Sequence, residues 1–380
     1  MNRASRLARI DPGMKWLLAA VLLLGAVALA RAGDLVVVHV APYSGPGALV
    51  AREYGAGARL YFDHVNAQGG VFGSRVRLVS RDDAGDPERT SSEAMAAASD
   101  QPVAFIGAVG TDNVKRMIPA LEKLQVPLLG AVVDAAGVSA TRDAYVFHVR
   151  PGLRQEVNAL SGELHALGMR RITLCAGDSA NDSPADVPDA AASTIVTVMR
   201  CGGDAGAIVA AARAIAATNA QAVIYAGPPA EAARFVEALR AGDSFAMIVT
   251  TSAVDPRLLT RALPRAARSW LAVAESVPNP RAGVHAAAAP IVREFLATRE
   301  ADGSEAPVSR ESLAGFMTAK VTIEAIRRAG ENPSSLDVRA ALDDMHAFDI
   351  GGITVDFQRR ERLPSYIRLG IVSSTGAVLN

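Results

Sequence analysis

The sequence has no excess of charge in either direction, since 39 basic residues balance 39 acidic ones, and only 5% of it is aromatic. Proteins that hold a phosphate backbone need a concentrated positive field. The only basic cluster here is Arg359-Arg360-Glu361-Arg362, so no nucleic-acid partner is expected. The six histidines, His39, His64, His148, His165, His285 and His346, are scattered without the i, i+4 spacing of a metal site. Each reads as a packing or surface residue, and no metal is expected. There is no Gly-x-Ser-x-Gly elbow and no Gly-x-x-x-x-Gly-Lys-[Ser/Thr] phosphate loop. Gly55-Ala56-Gly57 falls inside a helical stretch and lacks a third glycine. Asp82-Asp83 and Asp343-Asp344 are adjacent carboxylates that point away from each other, which suits solvated or capping roles. No nucleophile, base and orienting group come together. The sequence therefore predicts a protein that is not an enzyme and uses no cofactor.

Long apolar runs are also missing, with one exception at the start. Arg3, Arg6, Arg9 and Lys15 precede the run Trp16 to Ala30, which ends in Ala30-Arg31-Ala32. That is the layout of a secretory signal peptide. A run of about 15 residues is shorter than the ~20 needed to cross a bilayer as a helix. Residues 1–32 read as a cleaved signal peptide, giving a periplasmic chain that begins at Gly33. No Cys follows the run to carry a lipid anchor. Cysteine is scarce too: Cys175 and Cys201 are the only two. They follow two predicted neighbouring strands in a compartment where disulfides persist. A bridge is geometrically possible, and two buried inert thiols are the alternative.

What is present is a regular alternation of short β-rich runs and amphipathic stretches, the pattern of parallel sheets covered by helices. Leu35 to Val40 reads as a strand buried on both faces. Val50, Tyr54, Ala58, Phe62 and Val65 then fall on one helical face, ended by Gly69-Gly70. Strands are predicted at 76–79 and 103–106 and helices at 88–98 and 114–124, with 127–129 extended. Tyr145 to Pro151 reads as a crossing strand. A second set follows, with strands at 171–175, 194–199, 222–225 and 247–249 and helices at 157–167, 208–217 and 231–240. The tail carries helices at 286–298, 312–328 and 336–342, then strands at 352–357 and 365–372. The fold class is α/β with two Rossmann-like lobes. Lobe 1 is assigned to 33–150 plus about 278–350, and lobe 2 to 151–277 plus about 351–380. No low-complexity linker separates them, so the lobes are joined by short crossings that can bend as a unit.

Ligands of open α/β sheets bind beyond the carboxyl ends of the strands. Four turns there carry small or hydroxyl residues: Ser44-Gly45-Pro46, Gly110-Thr111-Asp112, Val133-Asp134-Ala135 and Thr250-Thr251-Ser252. From position alone, such hydroxyls serve equally as helix caps.

An ordered set of motifs runs through the mature chain. It begins with Ala41-Pro42-Tyr43-Ser44-Gly45-Pro46 and continues with Asn66-Ala67-Gln68-Gly69-Gly70-Val71-Phe72-Gly73 and Asp82-Asp83 with Asp86-Pro87. Ile106-Gly107-Ala108-Val109-Gly110-Thr111, Val126-Pro127-Leu128-Leu129-Gly130 and Ser276-Val277-Pro278-Asn279-Pro280 follow. In this set the chain resembles the type I periplasmic substrate-binding proteins of branched-chain amino acid (Leu/Ile/Val-binding) ABC transporters. The resemblance implies three hinge crossings, a ligand cleft between the lobes, a small-molecule ligand such as an amino acid, an ABC permease in the inner membrane as partner, and a monomer. Carried over position by position, it places Ser44, Gly110, Thr111, Val133 and Ala135 on the lobe 1 side of the ligand. Tyr225, Gly227, Thr251 and Ser252 fall on the lobe 2 side. The chain departs from the family pattern at Asp112-Asn113, at Val133 where a Thr is common, and in the loop near 177–192, which is shortened. The expected role is uptake of an amino acid or related polar metabolite, with periplasmic sensing through a membrane kinase as the alternative.

Overall fold

The computed structural model describes residues 33–133, 137–138, 141, 143–177, 195–201, 204–227, 229–281, 289–358 and 366–379. The signal peptide, Ala135 and nearly all of the shortened loop lie outside those residues.

Two sheets, each covered by helices, form two lobes. The first sheet has the order β2-β1-β3-β4-β5 and is wholly parallel. Its strands are β1 (Leu35–Ala41), β2 (Val76–Asp82), β3 (Ala104–Ile106), β4 (Leu128–Leu129) and β5 (Val146–Phe147). Every residue of β1 is buried, as its unbroken apolar run requires of a strand with helices on both faces. Helix α1 (Ala48–Ala67) covers one face, and α2 (Pro87–Ala96) with α3 (Thr111–Leu124) covers the other. Asp86 caps α2 by accepting from the Arg89 amide, with Pro87 opening the helix.

The second sheet has the order β14-β13-β10-β9-β8-β6-β7. Its parallel part is β6 (Ile172–Ala176), β7 (Ile195–Arg200), β8 (Ala222–Ala226), β9 (Met247–Thr250) and β10 (Leu271–Glu275). Three segments are not anticipated from the sequence: β10, helix α7 (Pro256–Ala262) and the final strand β14 (Val378–Leu379). β13 (Arg368–Val372) joins β10 antiparallel, and β14 extends that edge. Helices α4 (Leu153–Ala166), α5 (Ala205–Ala216) and α6 (Ala232–Ala241) cover this sheet.

The tail returns to the first lobe. Helices α8 (Pro290–Ala301), α9 (Arg310–Ala329) and α10 (Ser335–Asp343) join its core, together with Ile353, Val355 and Phe357 around the hairpin β11 (Phe348–Asp349) and β12 (Thr354–Val355). Helices α9 and α1 touch at their backbones. A Cβ on Gly57 would lie 1.7 Å from the Ser312 carbonyl oxygen, and one on Gly315 would lie 1.9 Å from that of Tyr54. These two glycines are packing requirements, and Gly55-Ala56-Gly57 lies inside α1, as the sequence implies.

Candidate functional site

Strand order fixes where each sheet opens. In the first sheet β1 is flanked by β2 and β3, so the chain changes direction of travel beyond the carboxyl ends of β1 and β3. In the second, β6 is flanked by β7 and β8. Crevices at such switch points are where open α/β sheets bind ligands. Gly110-Thr111 follows β3 and Tyr225 to Gly227 ends β8, so both segments stand at a switch point.

On the first lobe, β3 and β4 keep pairing past their ends. Gly110 donates to the Val132 carbonyl (3.0 Å) and Val132 to that of Ala108 (2.8 Å). This sets Gly110 beside Val133. Gly110 has φ +97°, a backbone conformation that favours glycine, and is the residue from which α3 starts. No side chain caps α3. The Thr111 hydroxyl makes no hydrogen bond among the described residues, so it does not cap the helix. The exposed amides of the first turn and that hydroxyl form a donor group at the positive end of a helix. Asp112 stands next to it, and Asn113 is buried and turns away to donate to Asp83 (3.4 Å).

Ser44 and Val133 are placed differently from what a ligand contact requires. The Ser44 amide and hydroxyl both donate to Asp82, at 3.1 and 2.7 Å. The Ser44 hydroxyl, then the Ala84 amide, hold the Asp82 carboxyl below its ordinary range. Ser44 thus builds the turn after β1. The Val133 side chain is buried in the core between the sheet and α3. Asp82 and Asp83 are loop organisers. Asp83 is fully buried and accepts from the Gly85 amide and the Thr90 hydroxyl, each at 2.8 Å.

On the second lobe, the Tyr225 ring is fully buried and packs on Phe235 at 4.6 Å between centroids. It belongs to the core beneath the sheet, and burial pushes its hydroxyl pKa up. Gly227 is shaped by the same ring, because a Cβ there would meet the Tyr225 hydroxyl and ring carbon at 2.7 Å. What this segment presents beyond the strand is backbone, and the Tyr225 carbonyl accepts from Thr251 (3.2 Å). The Thr250 hydroxyl is buried without a hydrogen-bond partner among the described residues, and the Thr251 hydroxyl also makes no bond there. Ser252 donates its amide (3.0 Å) and its hydroxyl to the two carboxylate oxygens of Glu156 in α4. Glu156 is fully buried. Sequence reading missed it, because it lies 96 residues from Ser252 and has only a helical position to mark it.

Cys175 and Cys201 are bonded, with Cα atoms 5.3 Å apart, within the range a disulfide spans. The bridge ties the end of β6 to the residue after β7 and packs against Tyr225 in the core. Of the two possibilities left open by the sequence, the structure adopts the bridge.

Charged groups gather where the chain passes between lobes. Arg150 lies between β5 and α4, and burial pulls its guanidinium below the ordinary value while Glu311, Tyr54 and Glu156 act against the shift. Arg310, at the start of α9, is paired with Glu275, which ends β10 and is buried. Among the described residues no group of three or more His, Cys, Asp or Glu is arranged to hold a metal ion.

The fold and the placement of these turns agree with the family comparison. The profile of the periplasmic binding protein family matches residues 35–376, and the chain belongs to that family. A substrate-binding periplasmic protein from Ralstonia solanacearum is 33% identical, over 91% of this chain and 99% of that one, with a TM-score of 0.70. An extracellular ligand-binding receptor from Verminephrobacter eiseniae is 27% identical, over 91% and 100%, with a TM-score of 0.72. A leucine-binding protein from Thermotoga maritima shares the fold at 18% identity, over 90% and 97%, with a TM-score of 0.66. Comparison with curated proteins gives no match.

Proposed function

We propose that the chain is an extracytoplasmic solute-binding protein of an ABC-type uptake system, and that it holds an amino acid or a close relative between its lobes. The observation that carries this reading is the Ser252–Glu156 contact. Ser252 has given its hydrogen to a buried carboxylate, so it can offer a ligand only lone pairs, with a negative charge behind them. That side of the cleft suits a ligand ammonium. The Gly110-Thr111 side has the opposite character, with amides and a free hydroxyl that suit a carboxylate. A molecule with an acidic group at one end and a basic group nearby satisfies both. The leucine-binding relative from Thermotoga maritima supports the same ligand class, and the start of the sequence supports export.

Deleting the gene and measuring uptake of labelled L-amino acids tests the transport role. Loss of uptake of one amino acid or a small group, restored by the gene, is expected. Unchanged uptake of every amino acid, with loss of an amino-acid-dependent transcriptional response, would replace transport by sensing.

A further inference from the structure

The first lobe contains a polar cluster that the interlobe cleft does not use. His39, in β1, is fully buried. Its Nε2 lies 3.1 Å from the Gly107 carbonyl, and its Nδ1 lies 2.7 Å from the Tyr43 hydroxyl. The carbonyl can only accept, so Nε2 carries the hydrogen and Nδ1 accepts from Tyr43. The Tyr43 oxygen is then free to accept from Ser80, whose hydroxyl lies 2.8 Å away. The proton order is fixed throughout: Ser80 to Tyr43 to His39 to Gly107.

Space for this chain is left by Gly55, in the middle of α1. A Cβ there would come within 2.7 Å of the Tyr43 hydroxyl and 3.3 Å of His39 Nδ1. A glycine inside a helix costs about 0.5–1 kcal/mol relative to alanine, so the cluster persists against a stability disadvantage.

Tyr43 and Ser80 line a cavity of about 560 Å³ between α1, the edge strand β2 and the segment before α9. None of the residues assigned to the cleft lines it. Arg52 and Arg59, two turns apart on α1, line the same cavity. Arg52 reaches the Tyr43 carbonyl at 3.3 Å, and Arg59 forms no ion pair among the described residues. The cavity therefore combines two guanidiniums with a serine whose hydrogen is committed and which can only accept.

We propose that this cavity is a second small-molecule site, on the flank of the first lobe, and that it takes a hydroxycarboxylate. The carboxylate lies against Arg52 and Arg59, and the neighbouring hydroxyl donates to Ser80. The assignment does not depend on what the cleft binds. The probes chosen below lack the ammonium that the cleft reading requires.

Calorimetric titration of the mature chain with L-lactate and L-malate, with acetate as the control lacking a hydroxyl, tests it. At least one hydroxy acid binds saturably and more tightly than acetate. The Arg52→Ala/Arg59→Ala variant weakens that binding by at least about tenfold, as loss of charge-assisted hydrogen bonds requires, while Thr111→Val in the cleft leaves it unchanged. Ser80→Ala reduces the preference over acetate and serves as the second variant should the arginine pair fail to fold. Absence of saturable binding by both hydroxy acids overturns the proposal. So does binding that survives loss of both arginines, or of the serine preference where Ser80→Ala is the variant used. Binding abolished by Thr111→Val assigns the hydroxy acid to the cleft and equally overturns the flank site.

Discussion

At the scale of single residues, the hydrogen-bond bookkeeping separates groups that build turns from groups left for a ligand. The Ser44 hydroxyl is committed to Asp82 and that of Ser252 to Glu156, whereas Thr111 has no such bond. Thr111→Val should therefore weaken ligand binding by about 0.5–1.5 kcal/mol, or more if a charged ligand group loses its donor. The unfolding free energy of the ligand-free protein should stay within about 0.5 kcal/mol of wild type. Calorimetry with a parallel urea denaturation checks both. His39 gives a pH prediction of its own. Burial, against the opposing effect of the Gly107 hydrogen bond and with help from Arg59, lowers its pKa from 6.5 to about 4. The unfolded chain takes up a proton below about pH 6.5 that the folded one resists until about pH 4. Stability from this residue is thus complete above pH 6.5 and is lost as pH falls through that window, by on the order of 3 kcal/mol in total. Unfolding free energies measured across the window should decline with acidity more steeply in wild type than in His39→Gln. Equal slopes would show that His39 is already protonated in the folded state.

At the scale of elements, the legible parts are those whose signal is local. The buried run of β1, the apolar face and terminal glycines of α1, and the Asp86-Pro87 start of α2 can be read from a few neighbouring residues. The strand β10 is missed because Leu271 to Glu275 is a short, alanine-containing run entered through Trp270 at φ +56°, with no turn residue to announce it. Its place in the sheet depends on the antiparallel β13, almost a hundred residues on. The site is legible to the same degree. Gly110-Thr111 and Thr251-Ser252 announce themselves as turns after strands, but the partners that set their hydrogen-bonding character, Val132 and Glu156, are brought to them only by the fold. Tyr225 shows the limit in the other direction: its position after a strand suggests a cleft residue, while its large ring is more favourably buried beside Phe235. The disulfide belongs to this scale as well. It closes a loop of 26 residues between β6 and β7, and by loop entropy contributes roughly 3 kcal/mol. A Cys175→Ala/Cys201→Ala variant should unfold at lower urea concentration by about that amount, and an unchanged midpoint would show that the second lobe holds β7 without it.

At the scale of the whole molecule, two lobes with separate cores meet through crossings that carry charge. Arg150 stands within electrostatic reach of Glu311 in one lobe and Glu156 in the other, and Arg310 of α9 reaches Glu275 at the end of β10. Hinge closure around a ligand is the behaviour of periplasmic binding proteins. In this chain the Ser252-binding carboxylate of Glu156 lies near one of those crossings, so the polarity of the cleft and the joint between lobes share a residue. The account stands on a ligand with two unlike ends, a carboxylate met by the first lobe and an ammonium met by the second. The most direct test is calorimetric titration of the mature chain with a panel of L-amino acids, followed by the deaminated and decarboxylated analogues of the tightest one. One-to-one binding of an amino acid, weakened at least about tenfold by removal of either end, is the predicted result. An analogue without its amino group that binds as tightly as the amino acid would contradict the account.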